Sequence, residues 1–260
     1  MQQKLRVSAL QFDVEWEAPD KNKATIETLI PEKDHSDLVI LPEMFTTGFS
    51  QNVKNCCETM SGKTVTWMQQ TAKQKKYAIA GSVMIIENES IFNRFIFAHP
   101  SGQLEYYDKR HLFSFANEHL FYTQGTERKI FEYRGWRILP QICYDLRFPV
   151  WSRNKQDYDL AIYVASWPQQ RIFAWNQLLV ARAIENLAFV IGVNRIGQDG
   201  EKISYSGESK IIDPQGKIIA LSKEKMTQCI HAILDYEILA EWQNIFPALK
   251  DADKFETTTI

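Results

Sequence analysis

The sequence lacks several features that would assign it to a specialised class of protein. No window reaches the roughly 18 apolar residues of a membrane-spanning helix, and residues 1–14 contain no apolar run of signal-peptide length. The 30 Lys and Arg residues against 32 Asp and Glu give a formal charge of −2, without the cationic excess of nucleic-acid-binding proteins. We therefore expect no export, no membrane partner and no nucleic-acid partner.

Cysteine and histidine are sparse and form no metal-binding pattern. Of the four cysteines only Cys56 and Cys57 are neighbours, no C-x-x-C occurs, and the five histidines show no zinc-ligand spacing. We therefore expect no metal, reduced thiols and a cytoplasmic location. Cys56 and Cys57 are interpreted as structural or incidental, and Cys229, within a strand pattern, as a core residue. Cys143 remains as the thiol with a possible chemical role.

The composition that is present is that of a large globular domain. The 260 residues are 45% hydrophobic and 24% charged, and a chain of this size can bury roughly three quarters of its surface. No linker, composition break or internal repeat divides the sequence. We expect a single domain over residues 1–260, with its core at about 4–240 and a C-terminal tail at about 241–260, of which residues 250–260 are polar and show no clear pattern.

Short β-rich runs alternate in part with helical patterns along the whole chain. Turn signals at 100–102 and 213–216 predict two hairpins, and Asp20 is predicted to cap the first helix. About ten strands are many for one open sheet, so we expect an α/β fold with two sheets covered by helices. The predicted strands are 5–14, 37–41, 77–86, 93–99, 129–133, 136–143, 160–165, 188–194, 208–212 and 229–234, and the predicted helices are 21–33, 64–76 and 170–187.

Cys143 ends an apolar run and is followed six residues later by Pro149, which suits the first turn of a helix. A nucleophile at such a strand-to-helix turn projects away from the backbone and lies near backbone N–H groups. The alternative is a buried structural cysteine, which is the usual role of a free thiol.

Three charged residues also stand in unusual surroundings. Glu43 follows the buried-strand pattern Leu38–Pro42, where dehydration would favour proton uptake by a carboxylate. Lys109 lies between aromatic and apolar residues, and Glu118 follows nine positions later. Alternatively, Glu43 is an ordinary loop glutamate and Lys109 is part of a solvated basic patch. The alternative for Glu118 is a surface glutamate.

The order of these motifs resembles that of the nitrilase superfamily of carbon–nitrogen hydrolases. Leu41-Pro42-Glu43 comes first, Lys109-Arg110-His111-Leu112-Phe113 second, and Cys143-Tyr144-Asp145-Leu146-Arg147-Phe148-Pro149 third. The resemblance covers roughly residues 4–240. Further segments that fit the family are 9–13, 183–186, 193–195, 206–209 and 213–216.

The resemblance implies a four-layer α-β-β-α sandwich of two mixed sheets flanked by helices. It implies a triad of Glu43 as base, Lys109 as oxyanion partner and Cys143 as nucleophile, with Glu118 as a second glutamate and no cofactor. The backbone N–H of Tyr144 would assist Lys109. One departure concerns the pocket wall, because Ala174 stands where many relatives carry a histidine.

Within the family, the sequence is similar to the omega-amidase branch, which hydrolyses the terminal amide of 2-oxo-dicarboxylate monoamides such as 2-oxoglutaramate. This similarity rests on the segment 143–154 and on Ser166-Trp167-Pro168 and Arg171. A guanidinium is a geometric partner for the substrate carboxylate, so Arg171 is the candidate ligand, with Trp167 and Phe45 as walls. Arg147 is interpreted as a structural residue that pairs with an acid.

Two alternatives remain open at this point. The first is another small substrate, either a different amide, a nitrile or a carbamoyl amine, because pocket residues are poorly determined by one sequence. The second is a non-catalytic metabolite-binding protein on the same fold. Relatives commonly form homodimers, and the aromatic-rich region 167–175 with the C-terminal segment is the candidate contact surface for a homodimer or higher homo-oligomer.

Overall fold

Two six-stranded mixed β-sheets form the centre of the computed structural model, which describes residues 2–256. The first sheet has the strand order β14-β1-β2-β3-β4-β5, and the second has the order β13-β12-β9-β8-β7-β6. Strands β10 and β11 pair separately. The bounds are β1 Lys4–Gln11, β2 Leu38–Ile40, β3 Ala78–Glu87, β4 Ser90–Ala98, β5 Leu104–Asp108, β6 Phe131–Tyr133, β7 Trp136–Ile142, β8 Leu160–Ala165, β9 Phe189–Asn194, β10 Ile196–Gln198, β11 Ser204–Ser206, β12 Lys210–Ile212, β13 Ile218–Leu221 and β14 Gln228–Asp235.

Both sheets show the same succession of strand pairings. From β14 across the first sheet, and from β6 across the second, neighbours pair antiparallel, parallel, parallel, antiparallel and antiparallel. The parallel strands β2 and β8 are buried along their whole length, because both faces of each sheet are covered. Glu43 follows β2 and Ser166 follows β8, so these two residues leave equivalent strands of the two sheets.

Helices cover the outer face of each sheet and complete the four predicted α-β-β-α layers. Helices α1 and α3 pack on the first sheet through Ile26, Val65 and Met68, and α5 packs on the second through Trp175 and Leu179. These faces are apolar at helical spacing, which explains why the segments form helices against a sheet. The helices are α1 Pro19–Leu29, α2 Val53–Cys56, α3 Lys63–Lys75, α4 Pro149–Ser152, α5 Ile172–Asn186 and α6 Tyr236–Ile245.

The space between the two sheets holds the largest apolar cluster. Alternate residues of β1, among them Leu5, Val7 and Ala9, point into this space, while Leu10 contributes to the cluster under α1 and α3. Leu239 of α6 also belongs to the inter-sheet cluster. Residues from both halves of the chain therefore share one core, to which α6 contributes.

The structure differs from the sequence predictions at the start of α1 and at two short strands. Helix α1 begins at Pro19 with Ala18 at the cap position, so Asp20 does not cap it and instead pairs with Lys23 at 2.9 Å. Proline suits this first helical position because its missing N–H has no helical partner there. Strands β10 and β11 were not predicted, since three residues are too short to show a periodic pattern.

The C-terminal segment is more ordered than the predicted tail. Helix α6 continues to Ile245, and Leu249 is buried within a single 3₁₀ turn, Ala248–Asp251. The polar segment 250–260 lies partly outside the described residues. Within residues 2–256, none of the helices has both the length and the apolar composition that crossing a bilayer requires.

The aromatic region 167–175 is mostly internal. Trp167 and Trp175 are 3% and 0% exposed, whereas Phe173 is 76% exposed. The two tryptophans therefore belong to the core under α5, and Phe173 is the exposed aromatic side chain of this region.

Candidate active site

Cys143 is the first residue after β7 and lies in a strained backbone conformation. Its φ of +45° is in the left-handed region, which is unfavourable for a residue with a side chain. A 3₁₀ turn, Cys143–Arg147, then leads through Phe148 to α4, where Pro149 is the first helical residue. This sharp turn between a strand and a helix presents the thiol to the cleft at the end of the second sheet.

The Asp145 carboxylate stabilises this turn through several hydrogen bonds. Its Oδ2 accepts hydrogen bonds from the Ile142 N–H at 3.0 Å and from the Tyr107 hydroxyl at 2.9 Å, and its Oδ1 accepts one from the His111 N–H at 3.0 Å. The carboxylate is fully buried. Tyr107 lies on β5 of the first sheet and Ile142 on β7 of the second, so Asp145 connects the two sheets beside Cys143.

Lys109 lies between two buried carboxylates. Its Nζ donates to Glu43 Oε1 at 2.9 Å and to both oxygens of Glu118 at 3.0 Å. The three side chains are at most 1% exposed. Glu118 also accepts the Phe113 N–H at 2.5 Å, which ties the segment after β5 to the ion cluster.

The Glu43 carboxylate is held on both oxygens. Besides Lys109, the Asn93 amide donates to Oε1 at 2.8 Å, and the Ser166 N–H donates to Oε2 at 2.7 Å. The adjacent Trp167 is fixed through two hydrogen bonds to the Asn194 side chain, at 2.8 and 3.0 Å. Glu43, which follows β2, is therefore in direct contact with Lys109 after β5 and with Ser166 after β8.

Burial and charge set the protonation of the cluster. Burial and the negative charge of Glu43 raise the pKa of the Cys143 thiol well above its ordinary value, although Lys109 opposes this change. Burial alone would lower the pKa of Lys109, but Glu118 and Glu43 raise it above its usual range. Burial also raises the pKa of Glu118, an effect that Lys109 reduces and Glu43 increases. The resting site therefore holds a neutral thiol beside a cationic lysine.

Most of the predicted residues meet in one cleft with about 490 Å³ of empty space, which includes its open mouth. The predicted ligand Arg171, the wall Trp167 and the backbone donor Tyr144 line this cleft together with Glu43, Lys109 and Cys143, whereas Glu118 lies behind Lys109. The cleft is lined by Glu43, Phe49, Lys109, Phe113, Ala116, Cys143, Tyr144, Arg147, Ser166, Trp167, Pro168, Arg171, Ile203 and Tyr205.

Phe45 and Arg147 differ from their predictions. Phe45 is fully buried in the core under α3, with its ring 6.1 Å from that of Trp67, so it is not a wall of the cleft. Phe49 and Phe113 line the cleft instead. Arg147 forms no ion pair among the described residues, and its guanidinium lies 5.1 Å from the Trp167 ring, facing the cleft. It is therefore not the structural partner of an acid.

Asn93 is a site residue that the sequence analysis did not identify. It lies on β4 between Phe92 and Phe95 and is fully buried. An amide inside an aromatic strand is a signal that could have found it, since buried polar groups need a partner. Within residues 2–256, no group of three or more His, Cys, Asp or Glu side chains is arranged to hold a metal ion.

Comparisons with known proteins show the family of the chain. The model of the family described as carbon-nitrogen hydrolase matches residues 6–244. The chain is 45% identical to omega-amidase YafV of Escherichia coli K12, over 96% of this chain and 98% of that protein. It is 34% identical to 2-oxoglutaramate amidase of Bacillus subtilis over the same shares of the two chains.

A solved structure shows the same fold at high similarity. XC1258 from Xanthomonas campestris, described as a CN-hydrolase superfamily protein with an arsenic adduct in its active site, has a TM-score of 0.94 and 44% identity. The match covers 99% of this chain and 100% of that chain. The chain thus belongs to the carbon–nitrogen hydrolase family, in the omega-amidase branch of the nitrilase superfamily, and is a hydrolase that acts on carbon–nitrogen bonds.

Proposed function

We propose that the protein is a thiol-dependent amidase of 2-oxo-dicarboxylate monoamides. Its substrates would be 2-oxoglutaramate and 2-oxosuccinamate, and its products ammonia and the 2-oxo acid. The observation that carries the proposal is a single cleft in which Cys143, Glu43 and Lys109 lie together with two guanidinium groups. The similarity to enzymes named omega-amidase and 2-oxoglutaramate amidase supports this choice of substrate.

The first half of the proposed reaction forms a thioester. Cys143 Sγ attacks the amide carbon as its proton passes to Glu43, because a neutral thiol needs a base to become nucleophilic. Negative charge develops on the carbonyl oxygen and is stabilised by Lys109 and the Tyr144 N–H; one such donor is typically worth about 3–4 kcal/mol of barrier. Protonated Glu43 then donates its proton to the nitrogen, the C–N bond breaks and ammonia leaves.

The second half of the reaction uses the same groups. Water attacks the thioester carbon as Glu43 accepts a proton from it, and the oxyanion again faces Lys109. Collapse of this intermediate breaks the C–S bond and releases the acid, while the sulfur regains its proton from Glu43. Glu118 keeps Lys109 charged and in position, since it contacts the ammonium through both oxygens.

Two arginines provide the proposed substrate selectivity. The guanidinium of Arg171 lies 5.1 Å from the Phe113 ring, and that of Arg147 lies 5.1 Å from the Trp167 ring in the same cleft. A guanidinium held against an aromatic ring keeps its N–H groups in a fixed plane, which suits a carboxylate and an adjacent keto oxygen. A protein with a formal charge of −2 can therefore bind a small anionic substrate through these two local cations.

A substrate panel tests the proposed activity. We expect ammonia release from 2-oxoglutaramate well above that from glutamine, asparagine and a simple nitrile, and its loss in Cys143→Ala. Cys229→Ala, which removes a thiol outside the cleft, is the matched control and should keep activity. Comparable rates for Cys143→Ala and wild type would contradict the nucleophile, a nitrile preference would contradict the substrate, and inactivity on every compound would favour a binding protein.

The arginines can be tested separately from the chemistry. We expect Arg171→Gln and Arg147→Gln each to lower kcat/KM for 2-oxoglutaramate by about 10- to 100-fold, the size of a lost charge-assisted hydrogen bond. Hydrolysis of a neutral short amide by the same variants should change little, because that substrate has no carboxylate. An equal loss on both substrates would show that the arginines do not select the carboxylate.

We further propose that the protein acts in the cytoplasm as a homodimer or higher homo-oligomer. A free thiol nucleophile fits a reducing compartment. Phe173 and Ile184 of α5 and Ile238 and Ile245 of α6 are all at least half exposed, and α6 lies beside the end of α5, where Gln243 donates to the Leu187 carbonyl at 2.9 Å. Light scattering should give at least twice the monomer mass, reduced in Phe173→Glu with Ile245→Glu.

A further inference from the structure

Asn93 lies directly between the two carboxylates of the site. Its Nδ2 is 2.8 Å from Glu43 Oε1 and 3.4 Å from Glu118 Oε1. Its backbone carbonyl accepts the Lys109 N–H at 3.0 Å, which extends the pairing of β4 with β5 by one residue. The position of this amide is therefore set by the same strands that place Lys109.

The charges around the amide determine its orientation. With the opposite orientation, the amide oxygen would face two carboxylate oxygens, which is electrostatically unfavourable. The observed orientation leaves Asn93 Oδ1 buried without a hydrogen-bond partner among the described residues. An unpaired buried acceptor lowers the stability of the fold. The Asn93 amide therefore serves the site through its N–H donor and does not serve the stability of the fold.

The acceptor positions on Glu43 can be counted. A carboxylate offers about four lone-pair positions, two on each oxygen. Lys109 and Asn93 occupy those on Oε1, and the Ser166 N–H occupies one on Oε2. One position remains, and it is on Oε2.

We propose that Asn93 is a positioning residue that directs the thiol proton of Cys143 to Oε2 of Glu43. Asn93 and Lys109 together fill Oε1 of Glu43, which leaves the open acceptor position on Oε2. This inference rests on the proposed function, in which Glu43 takes the thiol proton.

Loss of the Asn93 donor has a direction that can be measured. Without this hydrogen bond Glu43 Oε1 also has an open acceptor position, so the thiol proton is no longer directed to Oε2. We expect kcat and the rate of Cys143 alkylation each to fall about tenfold, with KM within about twofold. A purely structural role would lower stability without this split between kcat and KM.

The experiment compares Asn93→Leu, which is branched at the same carbon and removes the donor, with Asn154→Leu. Asn154 is a matched control because it is also buried and its amide donates to the Tyr158 and Asn186 carbonyls at 3.0 and 2.9 Å instead of to a carboxylate of the site. Asn93→Met, with a flexible unbranched side chain, is the second variant if Leu prevents folding. Each variant is assayed for kcat, for KM and for the rate of Cys143 alkylation by iodoacetamide at neutral pH.

A loss of kcat and of alkylation rate at unchanged KM in the Asn93 variants, absent in Asn154→Leu, would support the proposal. Values of kcat and alkylation rate that equal those of the wild type would overturn it, whatever the change in stability. The alkylation assay needs no amide substrate. Inactivity of the wild type on 2-oxoglutaramate would therefore reject the proposed substrate and still leave the role of Asn93 decided by alkylation.

Discussion

At the scale of single residues, the site depends on a few buried polar groups with several partners each. Asp145 accepts from two backbone N–H groups and one hydroxyl, and Glu43 accepts from a lysine, an amide and a backbone N–H. Such groups are costly to bury alone and rigid when fully paired. The positive φ of Cys143 is maintained by this surrounding network.

Loss of the Asp145 carboxylate should affect both stability and catalysis. Asp145→Ala would leave the Ile142 and His111 N–H groups and the Tyr107 hydroxyl without their acceptor, and we expect a loss of about 3–5 kcal/mol in the free energy of unfolding. We also expect kcat to fall more than 100-fold, because the turn that carries Cys143 loses its support. Urea denaturation and steady-state kinetics measure the two effects.

Asp159→Ala is the control for this prediction. Asp159 is equally buried and accepts from the Arg137 N–H at 2.9 Å and from its guanidinium at 2.7 Å, away from the cleft. It should lose similar stability with little change in kcat under native conditions. Equal kinetic losses in the two variants would mean that Asp145 acts only through global stability.

At the scale of secondary-structure elements, the contact between α5 and β9 sets the position of the second sheet's outer layer. Gly192 of β9 lies under Trp175 and Leu179 of α5, and a Cβ atom there would clash with Leu179. The glycine is therefore required by the close approach of the helix and not by an unusual backbone angle. Asn194, which fixes the Trp167 backbone, is two residues further along β9.

Gly192→Ala is expected to lower the free energy of unfolding by about 1–3 kcal/mol through overpacking. Leu179→Ala alone should cost about 2–5 kcal/mol through a cavity. In the double variant the added methyl fills part of that cavity, so the combined loss should be smaller than the sum. Chemical denaturation of the four proteins measures this coupling, and strictly additive losses would contradict the proposed contact.

At the scale of the whole molecule, Asp37 connects the two sheets. It precedes β2 of the first sheet and pairs at 2.8 Å with Arg6 of β1 and with Arg134, which lies in the turn between β6 and β7 of the second sheet. Burial would raise the pKa of Asp37, but the hydrogen bonds and charges of Arg6 and Arg134 lower it below its usual value. The ionised carboxylate therefore stabilises the fold.

The lowered pKa gives a prediction with a definite sign. A carboxylate with a lower pKa in the folded state stabilises above its unfolded pKa of about 3.9, and this contribution is lost as the pH falls through the folded value. Asp37→Asn should therefore lower the free energy of unfolding by about 2–3 kcal/mol at neutral pH. The difference from the wild type should shrink below pH 4.

Denaturation at pH 7 and pH 3 measures this effect. Asp20→Asn is the control, because Asp20 pairs with Lys23 at the exposed surface and such pairs contribute little. A difference between Asp37→Asn and the wild type that is unchanged at pH 3 would show that the stabilisation does not depend on ionisation.

Much of the layout could be predicted from the sequence. Strands and helices with a clear apolar pattern, such as β8 at Leu160–Ala165, can be predicted from that pattern, because it shows which side chains will be buried. The order of the motifs around Glu43, Lys109 and Cys143 was sufficient to indicate the family. The four-layer sandwich follows from that resemblance, together with the number of strands.

Other features depend on contacts between residues far apart in sequence. The sequence places Phe45 and Arg147 next to site residues, but neighbours in a chain need not share a cavity. Phe45 turns into the core under α3, where Trp67 packs against it, and Arg147 turns to the cleft beside Trp167. Side-chain direction beyond a regular strand is set by the space available between packed layers, which no local pattern records.

Local patterns and the order of the motifs were sufficient for most strands and helices and for the chemical groups available: a thiol, a lysine and two glutamates. The short strands β10 and β11, the place of Asn93 between the two glutamates and the hydrogen bond from the Ser166 N–H to Glu43 Oε2 depend on tertiary packing. Such contacts leave no local signal, because periodicity is a property of neighbouring residues. The protonation of a buried cluster depends on distances between strands that meet only when both sheets stack.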